Sequence, residues 1–524
     1  QAIERYGWLS QADFSDLVTI AEMTPGPIAV NAATFVGNLT AGIPGAVCAT
    51  VGVILPSCIF VTVLAWLYMK YRNMKLMQGI LKYLRPAVVA MIFTAGLKIL
   101  LPAVFPNGFK DLSKLIAAKK SLKAGDKVYL SNRGKGLAMF VIGKEPMENG
   151  MNILGAHIDS PRMDLKQNPL YEDTEMALLD THYYGGIKKY QWVTLPLALH
   201  GVIVKTDGTK ITVNIGEDPE DPVFGVSDLL IHLSATQMEK KGNKIVEGEA
   251  LDILVGSIPL DKAVSGKDKK EEKEKKDLVK QNVLAILKKK YKMEEEDFLS
   301  AEIEVVPAGA ARNYGFDESM IMGYGHDDRV CAYPSFMAML EVKAPKRTLA
   351  CLLVDKEEIG SVGVTGMQSD AFEWFIGDLC KGQGVDIRDC FANSFCVSAD
   401  VTAAFDPNFA EEYEVRNDSK INHGVAFCKY TGHGGKSGAS DASAEVVGKL
   451  RRIMNDNGVI WQMTQMGKND HGGGGTVALY MANRNIDTID AGVPVLSMHA
   501  PYETVAKLDC YMTYKCMKAV FESE

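Results

Sequence analysis

The chain has 524 residues, 47% hydrophobic and 23% charged, which allows two or three domains with a sizeable core and excludes a wholly disordered protein. Its formal net charge of -8 argues against nucleic acid as the main partner. Ten scattered cysteines form no C-x-x-C pair, which disfavours a disulfide scaffold or a cysteine-built zinc knuckle and points to a reducing compartment.

The first predicted element is membrane-like. No charged residue occurs between Met23 and Met69, longer than the about 20 residues of one span, so the stretch predicts one span plus a broken or re-entrant piece. Pro25, Gly26, Pro27, Gly42, Pro44, Gly45 and Pro56 suit interrupted membrane helices better than a soluble helical hairpin. Lys70, Arg72, Lys75, Lys82 and Arg85 then form a basic loop expected on the cytoplasmic side, and a second apolar stretch runs from Pro86 to Val104, interrupted by Lys98. Gly7-Trp8-Leu9-Ser10, Glu22-Met23-Thr24-Pro25-Gly26-Pro27-Ile28-Ala29-Val30-Asn31, Gly42-Ile43-Pro44-Gly45-Ala46 and Leu55-Pro56-Ser57 resemble the chromate transporter family over about residues 1–105. That resemblance implies anion transport; it assigns no individual transport residue. The sequence opens on Gln1 rather than Met, so a fragment is expected, and it shows no signal-peptide pattern.

Near Phe105-Pro106-Asn107-Gly108 the character changes, and Phe109 to Lys123 predicts a short amphipathic helix before a Gly125-Asp126 turn. If 86–104 crossed a membrane, everything downstream would lie outside the cytoplasm, yet the downstream sequence has cytosolic character. The expectation is therefore a gene-model or assembly join, or a second stretch that does not span.

Gly150 to Ala156 reads as a strand that delivers His157-Ile158-Asp159. Residues i and i+2 share one strand face, so His157 can ligate a metal while Asp159 orients it. Val202, Val204, Ile211, Val213 and Ile215 alternate around Asp207-Gly208, predicting a hairpin with a two-residue turn. Interleaved lysines and glutamates from Gly266 to Asp277 predict an exposed loop running into a helix to Leu287. Ala301 to Pro307 resumes strand patterning. Gly325-His326-Asp327-Asp328-Arg329 opens a helical pattern to Leu340, with Pro334 predicting a kink or a first turn, and Asp327 could cap this helix or reach a metal.

Leu349 to Val354 is apolar enough for a strand buried on both faces, and it ends in Asp355-Lys356-Glu357-Glu358. Adjacent carboxylates there are costly without positive charge, and neighbours point different ways, so one can bind a metal while the other faces a water. Asn393 to Ala399 ends at Asp400, and Val493 to Met498 ends at His499. Sites in open α/β sheets form outside the carboxyl ends of strands, so His157, Glu358, Asp400 and His499, with Asp327, are expected to converge. Two imidazoles and three carboxylates suit two Zn²⁺. Four positive charges against three negative leave one for a hydroxide nucleophile, and Glu357 is free to move a proton to the leaving amine.

Gly155-Ala156-His157-Ile158-Asp159-Ser160-Pro161-Arg162, Tyr183-Tyr184-Gly185-Gly186, Gly325 to Arg329, Asp355 to Ser361, Ser398-Ala399-Asp400 and Ser497-Met498-His499 closely resemble the aspartyl aminopeptidase / aminopeptidase I family of zinc peptidases. The resemblance runs from about Gly108 to the C-terminus. It implies an α/β, phosphorylase/hydrolase-like zinc peptidase domain with an inserted β-rich dimerisation domain, preceded by an α-helical membrane segment. The expected division is a transporter-like fragment over 1–107, a first catalytic segment over 108–171, the insertion over 172–303 and a second catalytic segment over 304–524. By the family pattern His157, Asp327 and Asp400 would hold one zinc, and a bridging Asp327 with Glu358 and His499 the other. Co²⁺ or Mn²⁺ could replace zinc, and Asp159 and Glu357 would be the catalytic acids. The family further implies peptide substrates, acidic N-terminal residues among those released, and a homo-oligomer of dimers up to a dodecamer. His232 would reach the partner subunit's site and Lys429 would contact substrate. Gly472 to Gly475 lacks the lysine of a P-loop and is expected to be a tight loop lining the substrate pocket. The peptidase region is expected in the cytoplasm, at a membrane if the N-terminal segment is fused. The alternative is a membrane anion (chromate) transporter fragment with a passenger peptidase.

Overall fold

The structure, a computed structural model, describes residues 28–71, 110–112, 114, 122–260 and 277–523. The chain divides into two compact units, Gln1–Pro106 and Asn107–Glu524. The apolar stretch over 86–104, most of the basic loop and the charged run up to 276 lie outside the described residues, as does most of the helix expected over 109–123. Within that last segment Lys110–Asp111 form a short strand, paired in parallel with Val128 and Tyr129.

In the N-terminal unit, the helix Ile28–Tyr71 breaks at Ala41 and Gly42, whose φ of 62° is open to glycine at little cost. Sixteen helical residues would span about 24 Å. The Thr34 and Thr50 hydroxyls are nevertheless 2.6 Å apart, so the two arms fold back on each other. A Cβ on Gly37 would lie 2.4 Å from the Gly45 carbonyl oxygen, the close approach that small residues permit between membrane helices. Ala33–Leu55 is long and apolar enough to cross a membrane, but the fold-back divides it, which is the interrupted geometry its glycines predict. The arm from Ile43 to Tyr71 exceeds the about 20 residues of a span by itself.

The second unit is built on a nine-stranded sheet. Its centre is four parallel strands in the order Thr348–Val354, Met151–His157, Phe395–Ala399 and Asp487–Gly492. Alternate residues serve opposite faces. Leu349, Cys351, Leu154 and Ala156 join a core with helices His326–Glu341, Ala444–Asp456 and Lys507–Glu522. Ala350, Leu352, Met151 and Ile153 join another with helices Ala371–Gln383 and Ile387–Ala392. Burial on both faces is why these strands read as continuous apolar runs. In register, Val354 lies opposite His157 and Ala399 opposite Ala491, so the carboxyl ends finish level.

A six-stranded antiparallel sheet runs in the order Lys210–Ile215, Leu197–Val204, Ala301–Pro307, Arg162–Asp173, Met176–Tyr184 and Ile253–Gly256, with its own apolar core. The expected hairpin is present, but its loop is not two residues. The Lys205 N–H donates to Thr209 and Gly208 takes a φ of 85°, a three-residue loop that closes with glycine in the left-handed region. The helix Leu278–Tyr291 follows the charged run as expected. In the helix His326–Glu341 the non-helical dihedrals fall at Asp327 and Asp328 rather than at Pro334, and the peptide bond joining the two aspartates is cis.

The segment ending at His499 differs from expectation. The fourth central strand is Asp487–Gly492; Pro494–Leu496 belongs to a separate five-stranded sheet, between Thr402–Ala403 and Glu503–Ala506. The chain changes sheets after Gly492, where an added Cβ would sit 1.9 Å from the Asp400 carbonyl oxygen. Gly492→Ala is therefore expected to cost about 1–3 kcal/mol and to lower hydrolysis as well, because the Asp400 backbone must move. Denaturant melts and peptidase rates check this, and parental values in both would contradict it.

Candidate active site and metal centre

The level strand ends deliver three groups to one place. His157 closes Met151–His157, Glu357 and Glu358 follow Thr348–Val354, and Asp400 follows Phe395–Ala399. Asp327 arrives from the first turn of its helix, and His499 from a turn after Pro494–Leu496 with a φ of 63°. Their donor atoms form three groups, each within 4.8 Å: His157 with Asp327 and Asp400, Asp327 with Glu358 and His499, and His157 with Glu357 and Glu358. Asp327 belongs to two of them. Its Oδ1 is 3.1 Å from His157 Nε2 and its Oδ2 is 3.2 Å from His499 Nε2. Asp400 Oδ1 lies 3.8 Å from His157 Nε2, and Glu358 Oε2 lies 3.7 Å from His499 Nε2.

The surroundings set which ring nitrogens face inward. His157 Nδ1 is 3.0 Å from the Asp159 carbonyl oxygen and 3.3 Å from its Oδ1, both acceptors, so Nδ1 carries the proton and Nε2 is left for a ligand. His499 Nδ1 donates to the Gly186 carbonyl at 2.8 Å, with the same result. Asp159 also accepts from the Tyr184 hydroxyl at 2.8 Å and from the backbone N–H groups of Glu357 and Glu358 at 3.1 and 3.2 Å. One buried carboxylate thus orients a histidine and the turn that carries both glutamates. Burial works against its charge, but His157, Tyr184 and the Glu358 N–H hold its carboxyl below the usual range. Arg162 stacks 3.8 Å above the Tyr184 ring centre.

The donor set fits cations. Donor atoms about 2.0–2.2 Å from one tetrahedral zinc lie roughly 3.4 Å from each other, close to the separations here. Buried Asp327 Oδ1 and Glu358 Oε1 have no hydrogen-bond partner among the described residues. In the protein alone, burial and the Asp327 carboxylate push Glu358 up to about 9. Burial and Asp400 push Glu357 up to about 8. Burial opposes a charged His499, yet Asp327 and Glu358 hold it up to about 10. A cluster this rich in buried carboxylates is relieved by positive charge brought in from outside.

Two glycines make room for it. Gly185 has a φ of 76°, and an added Cβ would lie 3.1 Å from Glu358 Oε2; one on Gly186 would lie 3.4 Å from His499 Nδ1. Beside Asp159 and Tyr184 opens a cavity of about 750 Å³, lined also by Arg162, Tyr324, Arg329 and Lys356.

The chain from residue 100 to 521 matches the family model for aminopeptidase I zinc metalloproteases, M18. The chain belongs to the M18 aminopeptidase family. It is 57% identical over 411 residues to a probable M18 family aminopeptidase 1 from Clostridium acetobutylicum, covering 78% of this chain and 86% of that protein. The crystal structure of aminopeptidase I from Clostridium acetobutylicum superposes with a TM-score of 0.74 at 54% identity, covering 81% of this chain and 91% of that one. An M18-family aminopeptidase from Thermotoga maritima gives 0.75 at 42% identity, covering 80% and 91%. This chain is accordingly a metalloaminopeptidase with a metal-binding His/Asp/Glu centre. The chromate transporter model matches residues 1–141. The end of that match falls on strands Lys127–Asn132 and Gly136–Val141 of the peptidase sheet, so the transporter likeness describes the N-terminal unit alone.

Of the residues singled out in the sequence, His157, Asp159, Asp327, Glu357, Glu358, Asp400 and His499 come together. The other two are not members of those groups. His232 lies on an exposed turn, Ile231–Leu233, and Lys429 is half-exposed and ion-paired with Asp441. Gly472 to Gly475 pack against the loop from Tyr430 to Gly438, where the Gly432 N–H donates to the Gly474 carbonyl. Sequence reasoning missed three buried groups. Tyr184 stands in a family motif that gives it no role, Asp328 accepts the His157 N–H at 3.3 Å, and Glu503 carries no local signal.

Proposed function

We propose that His157, Asp327 and Asp400 hold one zinc ion, that Asp327, Glu358 and His499 hold a second, and that Glu357 carries the proton as N-terminal residues are removed from peptides. The observation that supports this most is the presentation of one Asp327 carboxylate oxygen to each histidine. When bound, such a metal pair supplies Lewis acidity toward the peptide carbonyl and lowers the pKa of water. Glu357 then takes the proton of the attacking water and delivers it to the amine nitrogen released as the peptide bond breaks. Asp159 keeps His157 and the Glu357 turn in place. Dialysis of the full chain against a chelator, then re-addition of zinc, cobalt or manganese, tests the reading. Hydrolysis should vanish and return, and chelator-resistant hydrolysis would contradict it. A panel of acidic and neutral aminoacyl substrates, with Lys429→Ala beside the parent, tests acidic preference.

An inserted β-rich module and the cytoplasmic location belong to the same reading. The expected boundaries at 172 and 303 fall inside strands Arg162–Asp173 and Ala301–Pro307, both of which the six-stranded sheet takes whole. Self-association through the inserted β-rich module belongs to this reading too. Leu229, Leu230, Ile231, Leu233 and Met238 are all exposed around His232, the kind of apolar grouping that marks an interaction surface. A pairing there would bring His232 to the partner's site, the arrangement expected within a dimer-built assembly up to a dodecamer. His232→Ala should then lower kcat by about 10²-fold, as loss of a donor at a reacting oxygen does. Mixing that variant with Glu357→Gln should restore some of the activity, because one site of each mixed pair is intact. A mixture as inactive as its parents would contradict a contribution in trans.

The N-terminal unit supports a second reading, membrane attachment through the folded-back helix. Sedimentation of the full chain with membranes, resistant to salt and released by detergent, tests it; anion uptake dependent on residues 1–105 would extend it to transport.

A further inference from the structure

Glu503 is 1% exposed, a carboxylate in the interior with no cationic side chain paired to it among the described residues. It opens the strand Glu503–Ala506, paired with Met320–Gly323, and faces the metal centre from the five-stranded sheet. Its two oxygens hold two different segments. Oε2 accepts the backbone N–H of Asp327 at 3.0 Å, and Oε1 accepts the backbone N–H of His499 at 2.8 Å. Those residues are the shared carboxylate and the second histidine of the cluster. His499 sits in a left-handed conformation, in a turn closed by the Ala500 N–H on the Ser497 carbonyl. A histidine in so twisted a segment persists only where its surroundings hold it, and Glu503 supplies one of the hydrogen bonds that do.

We infer that Glu503 is a positioning residue that fixes Asp327 and His499 relative to each other and so sets the second metal position. The inference rests on the two-metal reading above. Both anchors need an acceptor, and only a carboxylate offers two. A glutamine keeps the shape but turns an NH₂ toward one of the N–H groups, so one segment loses its anchor while the other keeps it. An aspartate has the same two oxygens but withdraws them by one methylene, ~1.5 Å, which takes both anchors beyond hydrogen-bond reach.

The test is zinc titration of the full chain, parent against Glu503→Gln, read by calorimetry and by metal content after gel filtration. The parent should bind two equivalents. In Glu503→Gln the weaker equivalent should lose about 10–100-fold in affinity, and excess zinc should restore kcat with KM little changed. A purely structural role would lower the melting temperature of the metal-free chain and leave both affinities alone. Two equivalents bound with parental affinity in Glu503→Gln would overturn the inference while leaving the two-metal reading intact. A parent that binds no zinc would overturn that reading instead. Should Glu503→Gln fail to fold, Glu503→Asp decides: a weakened second equivalent supports the inference, and parental affinity overturns it.

Discussion

Glu357→Gln is expected to cut kcat for hydrolysis of aminoacyl substrates by about 10²–10⁴-fold while leaving the metal content unchanged. Glutamine occupies the same volume but cannot take a proton from water at neutral pH. Under the proposed assignment both cations keep their ligands: Glu357 enters only the third group, with His157 and Glu358, and neither proposed ligand set includes it. The turn keeps its anchorage too, since Asp159 binds the backbone N–H at 357 rather than the side chain. A pre-steady-state rate with metal analysis of the same sample separates the possibilities. Near-parental turnover would remove Glu357 from the chemistry, and loss of metal would make it a ligand instead.

The second large effect concerns Asp327. Asp327→Ala should abolish hydrolysis and lower affinity at both metal positions, whereas His499→Ala should lower it at one. The asymmetry follows from geometry: Asp327 faces both histidines at 3.1 and 3.2 Å, while His499 Nε2 faces Asp327 and Glu358, members of one proposed ligand set. The stability consequence has the same sign. Burial opposes the Asp327 charge, but His157 and His499 hold its carboxyl well below the usual carboxylate range. Removing it leaves two buried imidazoles without that partner, so the metal-free Asp327→Ala chain should melt below the metal-free parent. Metal titration and thermal melts of both forms check the pair of outcomes, and two retained metals in Asp327→Ala would contradict the bridging role.

Strand ends made much of this site legible in the sequence. Buried parallel strands are apolar along their whole length, so a charged residue at the end of one marks the surface where the sheet opens. His157, Glu358 and Asp400 are visible for that reason. His499 is reached by the same rule applied to the wrong strand. The run from Val493 passes from one sheet to another after Gly492, and periodicity cannot reveal a change of sheet without a change of polarity. Glu503 is invisible because nothing near it in sequence signals burial. Its environment is assembled by Met320–Gly323, nearly two hundred positions upstream, and by backbone N–H groups that composition does not register. The hairpin at Asp207-Gly208 is legible as a hairpin but not in loop length, since one extra residue fits the same turn chemistry. The folded-back N-terminal helix is legible from its glycines, because only they let two helical arms approach as Gly37 and Gly45 do.

Anomalous diffraction at the zinc edge, from crystals of the full chain grown with zinc, tests the central claim most directly. Two peaks roughly 3.5–4 Å apart, one on each side of the Asp327 carboxylate, are the predicted result. A single peak there, or zinc bound only elsewhere on the chain, would contradict it.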